Sequence, residues 1–286
     1  MKKLKLRGQV LPAIVTVSPV TIWMVLLIGL PLLYVLFISF MTTDGYSVVY
    51  RFNFQNYVKL LDPTYLKIYL NSFIVAFFTT LICVGLGYPL AYKMARMKGP
   101  KKVLMMIFLM IPFWTNSLIR LYGWRTLLGK TGYLNTLMQA IGLTNGPVEM
   151  LYTRGAVLLG MVYVLFPFMV LPLYAAIEKL DWSLLEASSD LGAKRLTTFR
   201  KITLPLTSSG IFAGAIMVFI PSLGYFFVSD IMGGGNQQLI GNLIKTQFNA
   251  GNNWPLGSAL SIGLIILTLV LVGIYKAGGG KMEDLV

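Results

Sequence analysis

The sequence predicts an all-α membrane protein with six transmembrane helices and both termini on the cytoplasmic side. Three observations carry that reading. Of the 286 residues, 56% are hydrophobic and only 12% are charged, about half the charged share of a soluble domain. Six charge-free stretches approach or exceed the roughly 20 mostly apolar residues that cross a hydrocarbon core. The basic residues flank these stretches, and they favour one side of the membrane.

The first stretch, Ile14 to Phe40, follows a basic segment, Met1 to Gly8, with Lys2, Lys3, Lys5 and Arg7. A cleaved signal has an apolar core of roughly 7 to 15 residues, so this longer run reads as an uncleaved first span. The second stretch is Ile68 to Tyr92. The third, Val103 to Ile119, is the shortest, and Lys102 and Arg120 at its ends are placed to snorkel outward. After it, Leu134, Leu137, Met138 and Ile141 recur at helical spacing before Gly142, which predicts a short amphipathic helix at the outer surface. Gly155 to Ile177, Leu206 to Ser229 and Pro255 to Tyr275 complete the six. Pro31, Pro89, Pro112, Pro167, Pro172 and Pro221 fall inside spans, where each removes a backbone hydrogen bond and permits a bend. Gly210 and Gly214 form a small-xxx-small pair suited to close helix approach.

Basic residues are retained on the cytoplasmic face. One side holds Lys2, Lys3, Lys5, Arg7, Lys93, Arg96, Lys98, Lys101, Lys102, Lys179, Lys194, Arg195, Arg200, Lys201, Lys276 and Lys281. The other holds Arg51, Lys59, Lys67, Arg120, Arg125, Lys130, Arg154 and Lys245, a ratio of 16 to 8. Both termini are therefore expected inside. The asymmetry accounts for much of the +14 formal charge, and a nucleic-acid partner, which needs a single basic stripe, is not expected. His is absent and Cys83 is the single cysteine. Those counts exclude a disulfide framework, a zinc centre and any His-based catalytic set, so no catalytic or metal residue is assigned.

Gly123 to Thr131, GWRTLLGKT, imitates a phosphate-binding loop, but it has five residues before the Gly-Lys pair instead of four and no strand in front. Gly233 to Gly235 reads as a flexible outer loop. The informative segment is Asp181 to Pro205, between the fourth and fifth spans. Ser183 and Glu186 have capping-box spacing. Leu184, Leu185, Ser188 and Leu191 would then share a helix face, and Gly192 would take the left-handed turn that ends it. A second short helix is expected from Ala193 to Ile202, with Pro205 starting the next span.

Glu186-Ala187, Gly192 five residues beyond Ala187, and Ile202-x-Leu204-Pro205 resemble the EAA loop of ATP-binding-cassette (ABC) importer permeases. Ser188 departs from that pattern, which usually has a second Ala there. PFWTNSLIRLYG (Pro112 to Gly123), LFPFMVLPLYAAIEKLD (Leu165 to Asp181) and SDIMGGG (Ser229 to Gly235) are similar to the polyamine (spermidine/putrescine) permeases of the family, and Leu239 to Gly257 has a similar layout. The resemblance covers nearly the whole chain. It implies a type I, MetI-like permease fold as one transmembrane domain over 1–286, in a bacterial inner membrane. The implied partners are a sister permease, an ATPase dimer that binds ATP and Mg, a periplasmic or extracellular polyamine-binding protein, and membrane lipid. No cofactor of its own is implied. The implied ATPase-coupling residues are Glu186, Ala187, Gly192, Ala193, Ile202, Leu204 and Pro205.

A polyamine is a flexible polycation, so its path should offer carboxylates and aromatic faces. Asp230, following Tyr225, Phe226 and Phe227, is the carboxylate candidate, and Trp114 is a further aromatic candidate. The alternatives are a permease of the same family for another small solute, a non-transporting membrane scaffold, and a self-contained channel. Neither a scaffold nor a channel needs the Glu186 to Pro205 loop.

Overall fold

The structure, a computed structural model, describes residues 17–45, 47–235 and 237–277. Met1 to Gly8, Ile14 to Thr16 and Lys281 lie outside the described residues. The described chain forms two compact units, 17–62 with Thr246–Ile266, and Pro63–Lys245 with 267–277.

In the first unit, α1 (Val17–Ser39) is apolar on every side and exposed along most of its length, as suits a helix solvated by lipid. A π turn, Val25–Gly29, closes with Leu30 N–H on Val25 O and ends two residues before Pro31. The wider turn relieves the clash of a proline ring with the turn before it. Strands β1 (Thr42–Asp44) and β2 (Ser47–Val49) pair antiparallel beside Gly45, whose φ is +60°. This hairpin departs from the expected all-α chain, and its β-branched Thr and Val residues favour the extended backbone. Buried Asn56 of α2 (Gln55–Lys59) donates to Ser39 O (3.0 Å) and Met41 O (2.8 Å). Phe40 packs on Phe52, Phe54 and Tyr57 at centroid distances of 5.2, 5.5 and 5.1 Å.

In the second unit, α3 (Pro63–Arg96) extends the second predicted span at both ends. The third predicted span is not one helix. It divides into α4 (Pro100–Trp114) and α5 (Ser117–Leu128), and the chain turns by 91° between α4 and the segment that α5 begins. Thr115 is extended (φ −101°, ψ 144°), and the Asn116 side chain caps α5 by accepting from Leu118 N–H at 2.8 Å. The break also overturns the snorkelling expected of Arg120. Its guanidinium lies 5.2 Å from the Tyr163 ring centroid, with Nε and Nη1 buried, because α5 leaves the direction of α4. Lys102 instead pairs with Glu178. Gly123 to Leu128 belongs to α5, with no strand before it.

Helix α6 (Tyr133–Ala140) forms where the apolar spacing placed it, and Gly142 (φ +73°) follows. Helix α7 (Arg154–Glu178) runs unbroken through Pro167 and Pro172. Two short helices follow, α8 (Ser183–Asp190) and α9 (Arg195–Leu206), and then α10 (Ser208–Gly224) after a 65° bend at buried Thr207. Helices α3, α7 and α10 form the core, filled by Cys83, Met161, Leu165, Met169, Leu173 and Val218. The Gly210 and Gly214 pair meets α7 as expected. A Cβ on Gly210 would lie 2.5 Å from Ala176 Cβ and 2.8 Å from Pro172 O, and one on Gly214 would lie 2.7 Å from Met169 Sδ.

The fifth predicted span also ends early. Tyr225 (φ −74°, ψ 71°) separates α10 from α11 (Phe226–Gly233). The next helix, α12 (Ile240–Asn249), seats Gly241 against this break, where a Cβ would lie 2.6 Å from Gly224 O. The Gly233 to Gly235 run is not a loose loop but the end of α11. Gly234 (φ +57°) sits under the Tyr152 ring, and Tyr152 N–H donates to Met232 O at 2.9 Å. The last described helix is α13 (Trp254–Ala277).

Candidate functional site

Two regions hold the residues singled out in the sequence, apart from Trp114. In the first, the Asp181 to Pro205 segment, α8 starts differently from the expected capping box. Trp182 already has helical dihedrals, and Ser183 is the first helical residue, so its hydroxyl is not the cap. Asp181 Oδ1 accepts from Ser183 N–H at 3.0 Å instead. The Ser183 hydroxyl and this N–H hold the Asp181 carboxyl below the usual carboxylate range. Glu186, in the first turn, projects into solvent.

The end of α8 matches the expectation. Gly192 has φ +77°, its N–H donates to Ser189 O (2.9 Å), and Ala193 N–H donates to Ser188 O (3.1 Å). This is the paired hydrogen bonding of a Schellman stop. The expected apolar face is only partly buried. Ser188 is buried and Leu185 is half-buried, whereas Leu184 is 43% and Leu191 89% exposed. The segment therefore offers Leu184, Glu186, Ala187 and Leu191 to solvent.

The second helix starts at Arg195 and continues past Ile202. A π turn, Phe199–Thr203, absorbs Pro205, which lies in the last turn of α9 rather than at the start of the next span. As at Pro31, the π turn ends two residues before the proline. Ala193 and Ile202 are half-buried, and Leu204 and Pro205 are exposed. An open pocket of about 760 Å³ lies among α8, α9 and the end of α3, lined by Tyr92, Arg96, Trp182, Glu186, Arg195 and Phe199.

The second region is the corner between α11 and α12. Tyr225 and Phe227 pack at 5.0 Å, and Phe226 meets Phe227 edge-on at 6.0 Å. Asp230 lies one turn further along α11. Its Oδ2 pairs with Lys245 Nζ at 2.5 Å, and its Oδ1 accepts from Asn242 Nδ2 at 2.5 Å. The Lys245 ammonium also stands 5.2 Å from the Phe226 centroid, and Asn242 Nδ2 donates to Phe226 O at 3.0 Å. Trp114 stands apart. It is 82% exposed at the end of α4 and has no ring contact among the described residues. Sequence reasoning missed Asn242 and Lys245, although their i, i+3 spacing on an amphipathic helix puts both on one face.

Four helices long and apolar enough to cross a membrane, with two bent helix pairs that meet the same measure, define a polytopic membrane protein. Residues 68–277 match the family model of the binding-protein-dependent transport system inner membrane component, and the chain belongs to that family. It is 46% identical over 257 residues to the spermidine/putrescine transport system permease protein PotB of Escherichia coli K12, covering 89% of this chain and 94% of PotB. It is 44% identical over 263 residues to PotB of Haemophilus influenzae, covering 91% and 92%. A chain of a bacterial alginate ABC transporter, crystallised with an alginate pentasaccharide-bound periplasmic protein, shares the fold. The TM-score is 0.76 at 18% identity, over 96% of this chain and 94% of that one.

Proposed function

We propose that this chain is the permease subunit of an ABC importer that moves polyamines across the inner membrane into the cytoplasm. The observation that carries the substrate class is the 46% identity to PotB over 89% of this chain. The α11–α12 corner agrees with it: a carboxylate, an amide and an aromatic face surround the alkylammonium of Lys245, the same chemical group that ends a polyamine. Asp230 and the Tyr225, Phe226 and Phe227 rings then line the substrate path, with Trp114 a further contact along it.

Counting each bent pair as one span, together with four unbroken helices, gives six. With the basic residues inside, both termini are cytoplasmic. The Asp181 to Pro205 segment faces the cytoplasm and docks an ATPase, which binds ATP and Mg. Leu191 and Leu184 supply the apolar contact there, with Glu186 and Ala187 beside them. A sister permease completes the pore, and a periplasmic binding protein delivers the solute. The two permeases rock about a site between them, which requires rigid bundles rather than catalytic side chains.

The test is affinity capture of the ATPase by the tagged chain in membranes, followed by spermidine and putrescine uptake into vesicles containing all partners. Capture with ATP-dependent uptake is the expected result. Capture without uptake of either polyamine would assign the permease to another solute, and no capture would leave a scaffold or channel.

A further inference from the structure

Positions four apart share one face of a helix. Near the end of α3, Tyr88, Tyr92 and Arg96 hold three successive positions of this kind, and each reaches the Asp181 to Pro205 segment or its hinge. The Tyr88 ring meets Phe199 edge-on at 5.4 Å, and its hydroxyl lies 2.8 Å from Thr207 Oγ1, at the buried bend between α9 and α10. Tyr92 meets Trp182 edge-on at 5.7 Å. The Arg96 guanidinium lies 5.5 Å from the Trp182 centroid and 5.9 Å from that of Tyr92. Within the segment, a buried hydrogen bond of 2.7 Å between Ser188 and Thr198 ties α8 to α9, which favours movement of the two short helices as one piece.

We propose that Tyr88, Tyr92 and Arg96 are positioning residues for energy coupling, clamping the docked segment to the second span. The proposal rests on the reading of this segment as the ATPase dock. Without the clamp, the segment loses its ring and cation contacts with α3, and one of its covalent ends is the Thr207 bend. A push on the exposed turn at Leu191 would then be absorbed by flexing at Thr207. With the clamp, the push is passed to Trp182 and Phe199 and from them to α3, which belongs to the core with α7 and α10. Each ring or cation contact is modest alone, but three on one helix face must separate together.

The test uses the complete importer, with the sister permease, the ATPase and the binding protein, in proteoliposomes, and reads ATP hydrolysed per spermidine imported. The double variant Tyr92→Leu, Arg96→Leu is expected to retain the ATPase and to hydrolyse ATP within about twofold of wild type, while import falls about tenfold. Arg96→Lys keeps a cation over Trp182 and is expected to stay within about threefold of the wild-type ratio, and Tyr88→Phe, which loses only the Thr207 link, to raise the ratio about threefold. An unchanged ratio in the double variant overturns the clamp. So does loss of the ATPase from that variant, which would make these side chains part of docking or folding. Should the double variant fail to insert, Tyr88→Phe decides, and a wild-type ratio there overturns the proposal. If the wild-type chain itself fails to retain the ATPase, the docking reading falls and takes the clamp with it.

Discussion

Lys245 neutralises Asp230 across the α11–α12 corner, with 2.5 Å between Nζ and Oδ2, while the ammonium rests over the Phe226 ring. The carboxylate is thus neither a bare helix end nor buried, since its side chain is 37% exposed. A second ammonium, arriving on a polyamine, can approach the same oxygens and the same ring.

Asp230→Asn keeps the size and most of the hydrogen bonding to Asn242 but removes the charge. Uptake is expected to fall about tenfold, equivalent to roughly 1.4 kcal/mol, with assembly and basal ATP hydrolysis unchanged. Trp114→Leu removes one exposed ring and is expected to act more mildly, about two- to threefold. Radiolabelled polyamine uptake in vesicles with all partners checks both. Wild-type uptake by Asp230→Asn would place the charge-bearing groups of the path on the sister permease.

Gly192 is required for its backbone, since a Cβ there would meet nothing within 4 Å although φ is +77°. Gly192→Val is expected to strain the turn by about 1–3 kcal/mol and to uncouple hydrolysis from uptake without preventing insertion. Gly192→Asn, a side chain that tolerates the left-handed region, should retain most uptake. Full uptake and normal ATPase association in Gly192→Val would remove the turn from the coupling mechanism.

Gly210 is required for space. A Cβ there would meet the Pro172 carbonyl at 2.8 Å, a backbone atom that cannot rotate away, so Gly210→Ala is expected to destabilise the chain by about 1–3 kcal/mol. Gly85 on α3 has open space around it, and Gly85→Ala is expected to be neutral or stabilising by about 0.5–1 kcal/mol. Unfolding of the two variants in detergent, followed by circular dichroism, should move in opposite directions or leave only Gly85→Ala unchanged.

Topology is open to thiol labelling. Cys83 is buried, and in a Cys83→Ser background single cysteines at Gly45, Asn145 and Asn252 are expected to react with an impermeant reagent on intact cells. A cysteine at Met97 is expected to react only after the membrane is opened. Labelling of intact cells at Met97 would invert the orientation.

The sequence by itself determined the apolar stretches, the left-handed stop at Gly192 and the close approach of Gly210 and Gly214. Each depends on solvent transfer, on the conformational range of one residue or on its missing side chain, and all three are written locally in the chain. Only the tertiary structure decided where helices break. Val103 to Ile119 is charge-free, yet the extended Thr115 and the cap from Asn116 divide it, and its only local sign is the short polar run Thr115-Asn116-Ser117, which an uncharged span also tolerates. The same holds for Tyr225, where the break accommodates Gly241 from a different helix. Pairing was equally out of reach, since Asp230 meets Lys245 only because α12 folds back on α11. Tyr92 and Arg96 meet Trp182 across more than 80 residues of chain. Contacts between distant positions arise from packing, and no local pattern of residues encodes their partners.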